Sequence, residues 1–196
     1  MKTISNRTIS EYEIKNSKFI TILYKVDNQF SLEGFITQVK KEYPKATHYC
    51  YAYRTKNEQK SSDDGEPGGT AGLPMLNVLI KEELINVLAI TVRYFGGIKL
   101  GSGGLVRAYT KSLTLALANA NILEVVEGYE VKLSINYNEQ KQLDYLLKDI
   151  NVINKEFNDQ VYYFIEISKN DLSLLDNYNY EIIKTKLIEN RKRPLA

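Results

Sequence analysis

The chain has 196 residues, of which 43% are hydrophobic and 26% charged, and its formal net charge is +2. This length suits one large domain or two small ones, and the near-neutral charge excludes a protein that binds polyanions through bulk charge. Cys50 is the only cysteine, so no intramolecular disulfide can form. The sequence contains neither an apolar run long enough for a membrane helix nor a signal-peptide core. We therefore expect a cytoplasmic protein with no membrane partner.

The first part of the chain reads as strands and one helix. Residues 12–24 predict two strands with a turn at Asn16-Ser17, because β-branched and aromatic residues alternate imperfectly there. Ser31 is a plausible N-cap for a helix that ends before Pro44. Residues 48–54 predict a strand with His48, Cys50 and Ala52 on one face and three tyrosines on the other.

The middle of the chain predicts a long loop, a helix, a strand and a second helix. Residues 55–69 are polar and glycine-bearing, which is typical of a loop, and Thr70 is a plausible N-cap for the helix that follows. Residues 85–95 are almost continuously apolar, as expected of a strand buried on both faces. A second helix is predicted from about residue 103 to 119.

The last third predicts a separate small domain. Strands and helices recur there in the order β-α-β-β-α-β, the ferredoxin-like pattern, with Asn138 and Asp171 as candidate helix caps. We place the domains at residues 1–125 and 126–196, with the boundary marked by Gly128 and the restarted pattern. The final Arg191-Lys192-Arg193 is predicted to be a solvated basic end.

Two glycine clusters mark the candidate functional region, residues 61–110. In the second cluster a buried strand leads through glycines into a helix, which leaves free backbone amides where the helix dipole favours an anion. The spacing matches neither the Walker loop nor the dinucleotide fingerprint. The alternative is a tight loop that needs positive φ values, with its arginines paired to local acids. The residues assigned to an anion or RNA site are Arg93, Tyr94, Gly96, Gly97, Lys99, Gly101, Ser102, Gly103, Gly104 and Arg107.

The first cluster carries an acidic loop with Asp63, Asp64 and Glu66. These carboxylates could hold magnesium, pair with Arg93 and Lys99, or be solvated. The EF-hand spacing is absent. We favour acid–base pairing or a polar partner surface, and we predict neither a metal nor a cofactor.

His48, Cys50 and Lys18 are the remaining candidate residues, with Lys18 and His48 as accessory members of the site. A nucleophilic Cys–His pair is conceivable because a thiolate needs a nearby base. A half-buried histidine beside a core cysteine is the favoured interpretation. Most tyrosines are assigned to strand packing, and Tyr94 remains a candidate for stacking on a base.

Several sequence blocks resemble the IMPACT/YigZ family. They are Asn16-Ser17-Lys18-Phe19-Ile20, His48-x-Cys50-x-Ala52, Ser62-Asp63-Asp64-Gly65-Glu66-Pro67, Thr70-Ala71-Gly72, Pro74-Met75, Val92-Arg93-Tyr94-Phe95-Gly96-Gly97, Leu100-Gly101 and Gly103-Gly104-Leu105-Val106. The resemblance covers about residues 15–120.

The resemblance implies an α+β protein with two domains. The first would be similar to domain 2 of ribosomal protein S5, and the second would be ferredoxin-like, similar to a C-terminal domain of elongation factor G. Both folds occur in translation machinery, which implies a translation or RNA-linked role by analogy. The resemblance transfers no catalytic residue, so the motif residues are carried over as a surface site.

Three functions follow as hypotheses. The leading one is a cytosolic binding protein that contacts RNA, the ribosome or a translation factor. The second is an enzyme that acts on a phosphorylated or nucleotide substrate held at the Gly-rich helix start. The third is a protein-interaction module. Steep salt dependence would favour RNA, and a magnesium-dependent change in stability would favour the enzyme. We expect removal of Arg93 and Lys99 to weaken anion binding with little loss of stability.

Overall fold

The computed structural model describes residues 1–189, which divide into two compact α+β units. The first unit is Met1–Leu123 and the second begins at Glu124. The predicted basic end at Arg191-Lys192-Arg193 lies outside the described residues. No helix in the described part of the chain is long and apolar enough to cross a membrane.

Unit 1 consists of strands β1 to β6 and helices α1 to α3. The strands are β1 (Lys2–Ile4), β2 (Thr8–Ile14), β3 (Ser17–Lys25), β4 (His48–Arg54), β5 (Gln59–Ser62) and β6 (Val87–Tyr94). The helices are α1 (Leu32–Glu42), α2 (Gly72–Lys81) and α3 (Ser102–Ala118). Strands β2 to β6 form one antiparallel sheet in the order β2-β3-β6-β4-β5.

Helices cover both faces of this sheet. Helices α2 and α3 pack on the face that carries Cys50 and Ala52, and α1 packs on the face that carries the tyrosines of β4. The alternation predicted for β4 is therefore confirmed. Strand β6 lies in the centre of the sheet and is buried from Val87 to Arg93. Its continuous apolar sequence follows from burial on both faces.

Two local predictions in unit 1 are wrong, and one strand is absent from the predictions. Strand β1 was not predicted, although the backbone of Lys2 bonds to Glu83 and Ile85. Part of the predicted loop pairs with β4 as strand β5. The cap position of α2 is occupied by Ala71, because the hydroxyl of Thr70 donates to the carbonyl of Pro67. Strand β1 depends on hydrogen bonds to residues distant in the chain, which a local sequence pattern does not reveal.

Unit 2 has a four-stranded sheet over its own core. Its elements are β7 (Ile122–Ile135), which begins in unit 1, α4 (Gln140–Leu146), β8 (Asn151–Phe157), β9 (Val161–Ser168) and β10 (Asn179–Glu189), with short 3₁₀ helices at Tyr137–Glu139 and Lys169–Leu175. The strands of this unit follow the order β10-β7-β9-β8. Alternate residues of β7 and β9 form the core with Leu143 and Leu175.

The helix starts of unit 2 differ from the predictions. Asn136 caps the helical segment through a reciprocal bond with Glu139, so the predicted cap, Asn138, lies inside it. Ser168 accepts the amide hydrogen of Asp171 and is the cap of the second 3₁₀ helix, so Asp171 is not. At the first of these places β7 ends at Ile135, so the helical segment begins earlier than the sequence pattern indicates.

Candidate functional site

Glu66, in the acidic loop, forms a buried ion pair with Arg93 at the end of β6. Nη1 of Arg93 lies 2.6 Å from Oε1 of Glu66, and only 8% of Glu66 and 5% of Arg93 is exposed. Nη2 of Arg93 also lies 3.4 Å from the hydroxyl oxygen of Ser17. The structure therefore contains the acid–base pair that the sequence suggested for Glu66. Because Arg93 is buried and paired, it differs from the cations of the glycine-rich segment, which are exposed.

The buried network continues into helix α3 and strand β4. The hydroxyl of Tyr109 donates to the same Glu66 oxygen over 2.8 Å, and the sulfur of Cys50 lies 3.3 Å from that hydroxyl. Burial raises the pKa of the Cys50 thiol to about 12, although the Tyr109 hydrogen bond opposes the shift. A thiol with this pKa stays protonated near neutral pH, so Cys50 is not an activated nucleophile.

His48 lies at the exposed side of this network. Its Nδ1 is 2.8 Å from the backbone oxygen of Asp64, and its Nε2 is 3.8 Å from Oε2 of Glu66. The Asp64 carboxylate accepts the backbone amide of Tyr49 over 2.6 Å. His48 is half-buried, as the favoured interpretation predicted. These contacts attach the acidic loop to the start of β4.

Asp63 binds the start of helix α2. Its carboxylate accepts the backbone amides of Gly69, Ala71 and Gly72 at 2.7, 2.9 and 2.8 Å. Partial burial acts to raise the pKa of Asp63, but these three hydrogen bonds outweigh it and the pKa is lowered. The carboxylate thus satisfies amides that would otherwise be unpaired at a helix N-terminus. In the described residues, no group of three or more potential metal ligands is found.

The second glycine cluster packs closely on the β2–β3 turn. A Cβ at Gly96 would lie 2.0 Å from the backbone of Asn16, and the amide of Gly96 donates to the hydroxyl of Ser17 over 3.2 Å. Gly97 and Gly101 have positive φ values of 84° and 70°, a region that favours glycine. The structural alternative considered from the sequence, a tight loop with positive φ values, describes these glycines.

Helix α3 begins without a side-chain cap. Gly101 occupies the cap position, and its carbonyl accepts the amide of Leu105. Ser102, Gly103, Lys99 and Arg107 are exposed around this helix start, while Gly104 is half-buried. In residues 1–189, Lys99 and Arg107 have no ion-pair partner. Of the cations assigned to the anion site, these two are therefore the available ones.

Two further turns lie beside the glycine-rich segment, and each carries an exposed lysine that no sequence motif marks. The amide of Phe95 donates to the hydroxyl of Thr47, and the Tyr94 hydroxyl donates to the carbonyl of Pro44. Lys45 belongs to this turn, and Lys15 precedes Asn16 in the β2–β3 turn. Both turn lysines have positive φ values, an unusual backbone conformation that the sequence does not predict.

The exposed residues at this end of the sheet form what we call the loop surface: Lys15, Lys45, Phe95, Ile98 and Lys99. Phe95 and Ile98 are 45% and 46% exposed. The three lysines are exposed and have no ion-pair partner within residues 1–189. Lys18, assigned to the site from the sequence, instead pairs with Glu11 at 2.6 Å. The loop surface thus combines cations with a solvent-facing aromatic ring.

The sequence of this region matches a known family model. Residues 15–117 match the model of the Impact N-terminal domain. The chain belongs to the IMPACT family. The matched residues include the acidic loop, β6, the second glycine cluster and α3, so the family resemblance is confirmed for the region that holds the candidate site.

Relatives of this IMPACT family chain include bacterial proteins of similar length. IMPACT family member YvyE of Bacillus subtilis is 40% identical over 158 residues, which cover 76% of this chain and 73% of the relative. IMPACT family member YigZ of Escherichia coli is 38% identical over 152 residues, 74% of each chain. A crystal structure described as that of a hypothetical protein is similar with a TM-score of 0.65 and 30% identity, over 93% of this chain and 97% of that one.

Proposed function

We propose that this protein is a cytosolic RNA-binding protein of the translation machinery and that the loop surface contacts the RNA. One observation carries the proposal: Lys15, Lys45 and Lys99 lie unpaired at the end of the sheet where Phe95 and Ile98 are exposed. Single-stranded RNA is bound by cations that contact phosphates and by aromatic rings that stack on bases.

The buried network beneath the loop surface supports this proposal. Arg93 is the residue directly before Tyr94 and Phe95, and its ion pair with Glu66 holds the end of β6 to the acidic loop. The guanidinium carbon of Arg93 lies 5.5 Å from the centre of the Phe95 ring, and this cation–π contact limits the movement of the ring. In this proposal Arg93 and Glu66 position Phe95, and the lysines contact the RNA backbone.

The family resemblance supplies the translation context. We propose that unit 1 is similar to domain 2 of ribosomal protein S5 and that unit 2 is ferredoxin-like, similar to the C-terminal domain of elongation factor G. The β-α-β-β-α-β order of unit 2, with its second helix as a 3₁₀ segment, supports the latter assignment. Both folds occur in translation machinery, so by analogy a ribosomal site or a translation factor is a compatible partner.

A second candidate function is binding of a phosphorylated or nucleotide ligand at the start of α3. The uncapped helix start at Gly101, with Lys99, Ser102 and Arg107 exposed nearby, favours it. Thermal unfolding with inorganic phosphate and with nucleotides, with and without magnesium, tests this candidate. A saturable stabilisation that is lost in Lys99→Ala would support it, whereas unchanged melting temperatures would contradict it.

The RNA proposal is tested by fluorescence anisotropy with a labelled single-stranded RNA over a series of salt concentrations. We expect binding that weakens as the salt concentration rises. Lys45→Ala and Lys99→Ala should each reduce the magnitude of the negative slope of log affinity against log salt by about 0.7. Phe95→Ala should lower the affinity by about 1–3 kcal/mol with the slope unchanged, because stacking does not involve counterions.

Lys60→Ala is the matched control. Lys60 is exposed on the edge strand β5 and has no ion-pair partner in the described residues. It lies opposite Tyr53 in the β4–β5 strand pairing, near the end of β4 that is far from His48. Its removal should leave RNA affinity unchanged. Absence of saturable RNA binding, or an equal loss in Lys60→Ala, would contradict the proposal. A salt-insensitive association with ribosomal proteins alone would instead favour the protein-interaction hypothesis.

A further inference from the structure

Helix α2 exposes two large apolar side chains on its solvent side. Its sequence, GLPMLNVLIK, has only Asn77 and Lys81 as polar side chains. Leu73 and Ile80 are 50% and 40% exposed. A surface helix of a globular protein usually carries polar residues on its outer side. Two large exposed apolar side chains on one helix are therefore typical of a surface that contacts a partner.

An open groove of about 380 Å³ runs between helices α2 and α3, next to this apolar side. Its lining residues are Gly69, Leu73, Pro74, Asn77, Val78, Lys81, Val106 and Thr110. Lys81 is the only charged residue among them, and the other side chains are apolar or uncharged. The groove therefore offers an apolar floor with a single positive charge at one end.

The edge of the groove on α3 is also basic. Arg107 and Lys111 each follow a lining residue by one position, so they lie further round the helix towards solvent. Neither these cations nor Lys81 has an ion-pair partner within residues 1–189. Glu82 and Glu83 follow Lys81, but they do not line the groove. The groove is thus complementary to a ligand that is apolar on one side and acidic on the other.

We propose that the groove between α2 and α3 binds an acidic amphipathic helix of a partner protein. Apolar side chains at positions i, i+3 or i+4 and i+7 of that helix occupy the groove, as in other helix-in-groove complexes. Its Asp and Glu side chains face Lys81, Arg107 and Lys111. The charges fix the orientation of the helix and disfavour basic segments.

The same charges argue against two other occupants. A second copy of this chain that bound through the same face would place the basic residues of one groove against those of the other, and like charges repel. A membrane surface contacts apolar side chains that protrude from a protein, whereas this apolar surface is concave. This inference is independent of RNA binding, because Leu73, Lys81 and Lys111 are not part of the loop surface.

The inference is tested by peptide display on the intact chain. A random library of peptides of about 14 residues, roughly four helical turns, is selected on the wild-type protein with counter-selection on Lys81→Glu/Lys111→Glu. We expect the enriched peptides to be acidic, with apolar residues at helical spacing. They should bind the charge-reversed variant about tenfold more weakly, since two surface charge pairs become repulsive. Lys41→Glu, on α1 at the opposite face of the sheet, is the matched control and should bind normally.

The bound position is then mapped by backbone amide chemical shifts. We expect the largest changes at Leu73, Asn77, Val106 and Thr110, and Leu73→Gln should weaken binding while leaving the thermal unfolding temperature unchanged. Enrichment of neutral or basic peptides, shifts outside the groove, or no enrichment at all would overturn the inference. Self-association through the groove or binding to anionic vesicles that Lys81→Glu/Lys111→Glu abolishes would also overturn it, because each names a different occupant.

Discussion

At the scale of single residues, Glu66 has the largest structural role in the candidate site. Its carboxylate accepts hydrogen bonds from Arg93 and Tyr109 and lies within 3.8 Å of His48. Nε of Arg93 is buried without a hydrogen-bond partner in the described residues, so the arginine depends on Glu66 for most of its compensation. Breaking such a pair leaves an uncompensated buried charge.

We therefore predict that Glu66→Gln lowers the free energy of unfolding by about 3–5 kcal/mol. Glu42→Gln is the control, because Glu42 pairs with Arg7 at 2.6 Å while both side chains are more than a third exposed. The control should cost about 0–1 kcal/mol. Urea unfolding followed by circular dichroism measures both values. Equal and small losses in the two variants would show that the buried pair does not stabilise the fold.

The same burial changes the expectation for Arg93. From the sequence, its removal together with Lys99 was expected to affect anion binding with little loss of stability. Because Arg93 is 5% exposed and paired, we now expect Arg93→Ala to destabilise unit 1, so only Lys99→Ala reports on binding. The sequence pattern places Arg93 in the strand predicted to be buried and Lys99 in the glycine-rich segment, but it does not show that Arg93 is paired with Glu66.

At the scale of elements, Asp63 determines how helix α2 begins. We predict that Asp63→Ala lowers the free energy of unfolding by about 1–2 kcal/mol near neutral pH, because three backbone amides lose their acceptor. The pKa of Asp63 is lowered in the folded state, so its contribution is present above the unfolded pKa of about 3.9 and is lost as the pH falls through the folded value.

The difference between wild type and Asp63→Ala should consequently shrink below about pH 4. Chemical unfolding at a series of pH values measures it. A difference that stays constant down to the lowest pH at which the protein folds would exclude the ionised carboxylate as its source.

Gly96 determines how the second glycine cluster packs on the β2–β3 turn. We predict that Gly96→Ala destabilises unit 1 by roughly 1–3 kcal/mol, because the added carbon would overlap the backbone of Asn16 and the chain must shift. Gly68→Ala is the control, since a Cβ there meets nothing within 4 Å and the φ of Gly68 is not positive. Thermal unfolding of the two variants compares them. Equal melting temperatures would show that the turn and the glycine cluster can move apart without loss of stability.

At the scale of the whole molecule, the chain contains two units with separate cores. The two core clusters of unit 1 draw on residues between Ile4 and Leu117, and the core of unit 2 draws on residues between Val131 and Leu175. The domains predicted from the sequence, residues 1–125 and 126–196, stay a prediction, and the contact-based division falls two residues earlier, after Leu123.

We predict that a fragment of residues 1–123 folds on its own, because it retains both helix-covered faces of its sheet and the Glu66–Arg93 pair. A cooperative thermal transition and dispersed amide resonances are the expected result, compared with the full chain under the same conditions. A fragment without a cooperative transition would show that the chain is one folding unit and would contradict the predicted domains.

The α+β class, most helices and strands, the faces of β4 and the family could all be predicted from the sequence alone. Local periodicity and glycine or cap residues carry this information, because they act over a few neighbouring positions. The Ser31 cap and the β2–β3 hairpin followed from such signals, with the turn at Lys15-Asn16 instead of Asn16-Ser17.

The burial of each charged residue depends on contacts that form only in the folded protein. Arg93 and Lys99 are six residues apart, yet one pairs with Glu66 in the interior and the other faces solvent. Asp63 lies nine residues before the first residue of the helix that it caps. Lys45, Lys15 and Lys99 lie at the same end of the sheet because turns distant in sequence pack together there. A buried charge depends on a partner from another part of the chain. For that reason the loop surface and the ion pair beneath it required the folded protein.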